Sequence, residues 1–99
     1  MAQQHKPPGM PQRKWRELLW TQGLFDHEEA VREINKRWKE PRVCPVCHQN
    51  NWAVSPEIVR LWTARMKNAY PCVNMVCQNC GHTMLFNAAI LNLLPEGKS

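Results

Sequence analysis

The chain has 99 residues, five cysteines and a formal net charge of +5. A chain this short forms one small domain, or a mini-domain with an appendage, and such domains often need a metal ion or disulfides for stability. It has no apolar segment long enough to cross a bilayer and no apolar stretch typical of a secretory signal near its N-terminus, so we expect no membrane partner and a cytoplasmic location. Cysteines stay reduced there, and pairs of them more often bind metal than form disulfides.

The first half of the sequence predicts a polar tail followed by two helices. Residues 1–10 are polar and rich in proline, which is typical of a disordered tail. Residues 11–41 read as a helical hairpin: a first helix from Pro11 to about residue 21, a glycine C-cap at Gly23, and a second helix that starts at Asp26 and ends before Pro41. The apolar faces of the two helices are formed by Trp15, Leu18, Leu19, Ala30, Val31, Ile34 and Trp38.

The second half predicts a small antiparallel sheet. Residues 52–62 are β-branched and aromatic but contain Pro56, which indicates an edge strand or a bulge. Side chains of residues 70–77 alternate between two faces, which favours a second strand, and residues 82–91 are predicted to form a third. The predicted fold class is therefore a small α+β protein, with a three-stranded antiparallel sheet in a unit at 42–94 and a C-terminal tail at 95–99.

Two cysteine pairs, in VCPVC and VCQNCGH, are the strongest signal in the sequence. A C-x-x-C segment places two sulfurs on one tight turn, and two such knuckles supply the four ligands of a tetrahedral zinc site. Gly81 suits the left-handed residue that closes the second knuckle, and His48 stands at that position in the first. We therefore predict one structural zinc ion bound by Cys44, Cys47, Cys77 and Cys80.

Other chemistry is less well supported by the sequence. A redox pair at Cys44 and Cys47 would need a βαβ setting, whereas here the pair follows a predicted helix and precedes a strand. The fifth cysteine, Cys72, is an alternative ligand or a buried apolar residue, and we favour the second. His48 and His82 adjoin the knuckles as alternative ligands. No nucleophile–base grouping or carboxylate pair is present, so we predict no catalytic residues, no enzymatic activity and no small-molecule substrate.

The cysteine knuckles and the strand-rich spacer between them resemble the zinc-ribbon superfamily. Within about residues 43–91, the sequence is similar to small uncharacterised bacterial and phage zinc-ribbon proteins with a CPVCG-x-N-x-W opening and a CNNCG-x-T-x-FFNA close. His48 replaces the glycine of that pattern. Those proteins are often described as nucleic-acid binders, so the resemblance implies a zinc ribbon and a nucleic-acid partner. The matching residues are Cys44, Pro45, Val46, Cys47, Asn50 or Asn51, Trp52, Cys77, Asn79, Cys80, Gly81, Thr83, Phe86, Asn87 and Ala88.

Two partner classes remain open at this point. The first is nucleic acid, bound through cations and an aromatic side chain: Arg13, Lys14, Arg16, Trp20, Arg60, Arg65 and Lys67. The second is a larger protein complex, of the transcription, replication or phage–host machinery, on which the tryptophan-rich helices would dock as an adaptor. Trp20 lies off the apolar face of its helix, and it either contacts the partner or packs onto the ribbon. A four-thiolate zinc site would leave the ribbon itself near neutral.

Overall fold

The computed structural model describes residues 4–39 and 41–95. Residues 1–3 of the predicted N-terminal tail and residues 96–99 of the predicted C-terminal tail lie outside this part of the chain. The small α+β class is confirmed, and none of the described helices has the length and apolar character needed to cross a membrane. The elements in chain order are α1 (Gln12–Thr21), α2 (His27–Arg37), β1 (Trp52–Val54), β2 (Val59–Trp62), β3 (Ala69–Cys77) and β4 (Thr83–Asn87).

The end of α1 and the start of α2 have the residues that the sequence predicts, whereas α2 ends at Arg37, earlier than the predicted end at Pro41. At the end of α1, Gly23 has φ +77° and donates its amide to the carbonyl of Trp20, while Leu24 donates to Leu19. This pair of bonds is the Schellman motif, which needs a left-handed residue and therefore favours glycine. At the start of α2, the side chain of Asp26 accepts a hydrogen bond from the amide of Glu29 at 3.3 Å.

The sheet is antiparallel and has four strands rather than the three predicted. β3 is the central strand: β4 pairs along one of its edges, and β1 and β2 follow each other along the opposite edge. The predicted strand at 52–62 is therefore broken in two. Pro56 lies in the break, where its missing amide could not contribute to a continuous ladder.

The loop between the helices pairs with the segment that lies in this break. Phe25 donates its amide to the carbonyl of Pro56 at 2.7 Å, and Ile58 donates to the carbonyl of Gly23 at 2.9 Å. Between them, Leu24 and Glu57 form an isolated antiparallel bridge. Backbone groups of residues 56–58, which are not paired with β3, thus find hydrogen-bond partners in the loop between the helices.

One hydrophobic core joins the helical region to the sheet. The third predicted strand ends at Asn87, whose side-chain oxygen accepts the amides of Ala89 and Ile90 in the following turn. That turn returns the C-terminal leucines to the core. The buried members of the core are Phe25, Ala30, Ile34, Val73, Met75, Ala88, Leu91, Leu93 and Leu94.

Aromatic side chains seal the side of the core nearest the cysteines. Trp38 packs against Trp52, with ring centroids 5.3 Å apart and nearly perpendicular rings. It also lies 6.3 Å from the ring of Phe86. The indole of Trp52 donates to the carbonyl of Arg42 at 2.8 Å. This contact connects β1 to the segment that leads into the first cysteine pair.

Candidate metal centre and candidate nucleic-acid interface

The two cysteine knuckles have the same backbone hydrogen bonds. The first cysteine of each knuckle donates its amide across the turn, Cys44 to the carbonyl of Gln49 and Cys77 to the carbonyl of His82, each at 2.8 Å. The first knuckle follows α2 and precedes β1, whereas the second joins β3 to β4. Trp52 is paired with Cys77 in the sheet, so the strand pairing places the two turns side by side.

The residue that closes each knuckle has a left-handed backbone, as the sequence predicts. His48 has φ +65° and donates its amide to the carbonyl of Cys44 at 2.9 Å. Gly81 has φ +86° and donates to the carbonyl of Cys77 at 2.8 Å. Histidine is among the residues that occupy this region more often than most, although at a cost that glycine does not have.

The four sulfur atoms form one cluster of the size that a metal ion requires. All lie within 4.8 Å of one another, with Cys44 and Cys80 3.5 Å apart and Cys47 and Cys77 3.6 Å apart. A tetrahedral ion with Zn–S bonds of about 2.3 Å separates its ligands by about 3.8 Å. The cluster therefore fits a single tetrahedral ion, and four thiolates are the donor set typical of zinc.

The surroundings of Cys47 favour the ionised form of its sulfur. Hydrogen bonds from the Asn79 side chain and the Gln49 amide lower the pKa of Cys47 to about 6. A hydrogen bond from the His82 amide lowers the pKa of Cys80, but burial and the three neighbouring thiols outweigh this effect. Together they raise the pKa of Cys80 to about 12. Four thiols at this separation thus cannot all ionise together unless a cation offsets the repulsion of their charges.

The remaining candidate ligands lie outside the cluster. Among the described residues, the group of potential metal ligands contains neither Cys72 nor His48 nor His82. The Cys72 side chain is buried, and burial raises the pKa of its thiol. Cys72 therefore has the environment of a small apolar residue rather than that of a ligand.

Three of the predicted partner-binding residues make contacts within the protein. Arg16 forms an ion pair with Glu29 at 2.7 Å, and the side chain of Glu29 is 7% exposed. Trp20 packs against Phe25 with a centroid separation of 6.5 Å. The guanidinium of Arg60 lies over the Trp20 ring, 5.4 Å from its centroid. Trp20 thus packs onto the sheet, which was one of its two predicted positions.

The other predicted cations lie on two separate elements. Arg13 and Lys14 are exposed on α1, whereas Arg65 and Lys67 are exposed in the turn between β2 and β3. In that turn Met66 has φ +58° and donates its amide to the carbonyl of Thr63 at 2.9 Å.

The sequence reasoning missed two exposed aromatic residues on the same hairpin. Trp62 is 58% exposed and Tyr70 is 52% exposed. Leu61 and Met66 are exposed beside them. The signal available in the sequence was their position: both residues lie close to the polar turn at residues 63–68, and turns run over the protein surface. We call residues 59–72 the β2–β3 hairpin.

No protein-family model matches the chain, and no curated protein or solved structure matches it either. The metal centre and the β2–β3 hairpin therefore have to be interpreted from their own chemistry.

Proposed function

We propose that this protein is a non-enzymatic, zinc-stabilised module that binds nucleic acid through the β2–β3 hairpin. The observation that carries the proposal is the charge of this hairpin. Arg65 and Lys67 are exposed in its turn, and no acidic residue occurs in the sequence between Glu57 and Glu96. A surface segment with cations and no carboxylate of its own attracts phosphates, which supply most of the affinity of nucleic-acid binding.

The charge of the metal centre does not cancel this attraction. Four thiolates and one zinc ion carry a net charge of about −2. The centre lies at the Cys77 end of β3, and the hairpin turn immediately precedes the Ala69 end of the same nine-residue strand. At about 3.3 Å per residue these ends are about 26 Å apart, whereas salt screens exposed charges beyond about 8 Å. The two regions therefore act separately on a charged ligand.

The proposed zinc ion has a structural role. Four sulfur ligands complete a tetrahedral shell, which leaves no coordination position for a substrate or water. Zinc coordination in such sites contributes about 10 kcal/mol or more to folding. That is comparable with the whole stability of a domain this small, so the ion holds the knuckles, and through them β1, β3 and β4, in place.

The adaptor hypothesis has less support, because the tryptophans of the helices are occupied. Trp15 is buried, and Trp20 and Trp38 pack against the core. Residues that anchor a protein interface must be accessible before the partner arrives. The exposed aromatic residues lie on the hairpin instead, next to Arg65 and Lys67, for which the described part of the chain shows no ion pair.

A salt titration tests the proposal. Binding of fluorescein-labelled DNA and RNA strands would be measured by anisotropy at several salt concentrations, for the zinc-loaded protein and two double variants. Arg65→Gln/Lys67→Gln should weaken binding and reduce the slope of log affinity against log salt by about 1.4 to 1.8, because two phosphate contacts are lost.

The matched control is Lys36→Gln/Arg37→Gln, which removes the same charge from α2, where both cations contact Glu33. The control should keep nearly the full slope. Equal losses in both variants would indicate a general effect of net charge, and absence of binding at low salt would refute the proposed function.

A further inference from the structure

We infer that the nucleic acid is single-stranded and that bases stack on Trp62 and Tyr70, one on each face of the β2–β3 hairpin. The inference rests on the proposed function and specifies its ligand. It starts from the strand register, in which Trp62 is paired with Ala69 and Tyr70 with Leu61. Paired residues of antiparallel strands share a face and successive residues alternate, so the two rings point to opposite sides.

Both rings are available to a ligand. Within residues 4–39 and 41–95, neither ring has an aromatic or cationic partner, whereas Trp20, Trp38 and Trp52 all have one. Both rings are more than half exposed: 58% for Trp62 and 52% for Tyr70. Leu61, which is paired with Tyr70, and Met66 in the turn are exposed as well. The hairpin thus carries several exposed apolar side chains close together, which is a feature of binding surfaces.

The chemistry of the hairpin favours unpaired bases over a duplex. Bases within a duplex already stack on one another, so their faces cannot be reached by an aromatic ring from a groove. A single strand exposes its base faces, and aromatic side chains beside a basic track are the usual means of holding it. The hairpin offers this combination: the rings lie on its strands, and Arg65 and Lys67 lie at its turn.

Arg60 restrains the strand that carries one of the two rings, Trp62. It lies two residues before Trp62 and therefore on the same face of β2. Its guanidinium is held over the ring of Trp20 on α1. The base of the hairpin is thus attached to the helical region, and this contact restrains the strand that carries Trp62.

Binding of matched probes tests the inference. The probes are a fluorescein-labelled ten-nucleotide oligothymidylate, its oligouridylate equivalent and a mixed-sequence duplex of equal length, at one salt concentration. We expect a single strand to bind at least tenfold more tightly than the duplex. Trp62→Leu and Tyr70→Leu should each weaken its binding by about 5- to 100-fold, the effect of losing one stacked base.

Three further variants separate stacking from other roles of these residues. Trp62→Phe and Tyr70→Phe keep a ring and should retain most of the affinity. Ile90→Ala removes an exposed apolar side chain outside the hairpin and should have no effect. Because the two rings lie on opposite faces and do not touch, the effects of the two leucine changes should add in the double variant. Zinc content and the circular dichroism spectrum would verify that each variant is folded.

The possible failures are distinguishable. Tighter binding of the duplex would overturn the inference and leave the proposed function intact. Phenylalanine variants as weak as the leucine variants would also overturn it, since stacking would then not explain the loss. If no probe binds at low salt, both the inference and the proposed function are wrong.

Discussion

His48 and Gly81 occupy equivalent positions in the two knuckles, and each donates its amide to the carbonyl of the first cysteine. Both have positive φ, but only Gly81 has no Cβ. Gly81→Ala should destabilise the zinc-loaded protein by about 1 kcal/mol, the cost of a left-handed alanine. A Cβ added there would meet nothing within 4 Å. The cost therefore comes from the local backbone conformation and not from a clash with surrounding residues.

His48→Gly tests the same relationship in the opposite direction. Glycine relieves the left-handed strain but increases the entropy of the unfolded chain. We therefore expect a change of stability between zero and about 1 kcal/mol in the stabilising direction. Denaturant unfolding of both variants in excess zinc would measure these effects. A clear loss of stability in His48→Gly would show that the imidazole itself contributes to the knuckle.

Removal of the metal should unfold the sheet. We expect one zinc ion per chain by elemental analysis and loss of the β-type circular dichroism signal after chelation, because the coordination energy is comparable with the total stability. Cys77→Ser should have the same effect as chelation. Cys72→Ser should keep zinc and only lower stability, because Cys72 is buried outside the cluster. A metal-free protein with an unchanged fold would contradict the structural role of the ion.

Acid should release the metal, and Asn79 should control the pH at which this happens. The pKa of Cys47 is lowered to about 6, first by the Asn79 side chain. A depressed thiol pKa contributes its full stabilisation only above the ordinary thiol pKa of 9.0, and this contribution is lost as the pH falls from there through about 6. Zinc release, followed with a colorimetric chelator, should therefore occur mainly below neutral pH.

Asn79→Ala should move the midpoint of this release to higher pH, because the Cys47 thiolate loses a hydrogen bond. Gln78→Ala, a change at the adjacent exposed residue, is the control and should leave the midpoint in place. A midpoint that Asn79→Ala leaves unchanged would show that the hydrogen bond does not protect the ligand.

The buried carboxylate of Glu29 should make Arg16 important for stability. Glu29 accepts a hydrogen bond from the Gln12 side chain and forms an ion pair with Arg16. Arg16→Gln should cost about 2 kcal/mol, since it leaves a buried charge without its partner. The double variant Arg16→Met/Glu29→Met should recover much of this loss. Thermal unfolding would measure both, and an Arg16→Gln protein of normal stability that binds nucleic acid weakly would return Arg16 to the binding surface.

Trp20 should contribute to folding. We expect Trp20→Ala to lower the unfolding free energy by about 2 kcal/mol, less than for a fully buried tryptophan. Arg60→Ala removes only the cation above the ring and should cost about 0.5 to 1 kcal/mol. Denaturant unfolding provides the measurement. If Arg60→Ala were the more damaging change, the guanidinium would have a contact beyond the Trp20 ring.

The sequence predicted the local features of the fold well. Helix ends depend on single residues such as Gly23 and Asp26, and ligand spacing within a knuckle is set by a few neighbouring residues, so a short window contains the needed information. The four cysteines of the candidate metal centre were found in this way, and their clustering is confirmed.

Features that depend on distant parts of the chain were harder to predict. Pro56 indicated an interruption of a strand, but the segment that pairs with the interrupted residues comes from residues 23–25, far away in the sequence. Likewise, the sequence placed Trp20, and not Trp62, among the residues that could contact a partner. Only the packing of α1 on the sheet decides that Trp20 is covered and that Trp62 is exposed.

The pairing of the interhelix loop with residues 56–58 makes the helical region part of the sheet's cooperative unit. The amides of Phe25 and Ile58 are donors to carbonyls more than thirty residues away in sequence, so they become exposed to solvent only when the helices separate from the sheet. Their hydrogen-exchange rates would report this separation directly. The amides of Cys44 and Cys77 would report opening of the knuckles in the same experiment. The order in which these two pairs exchange distinguishes loss of the helices from loss of the metal centre as the first step of unfolding.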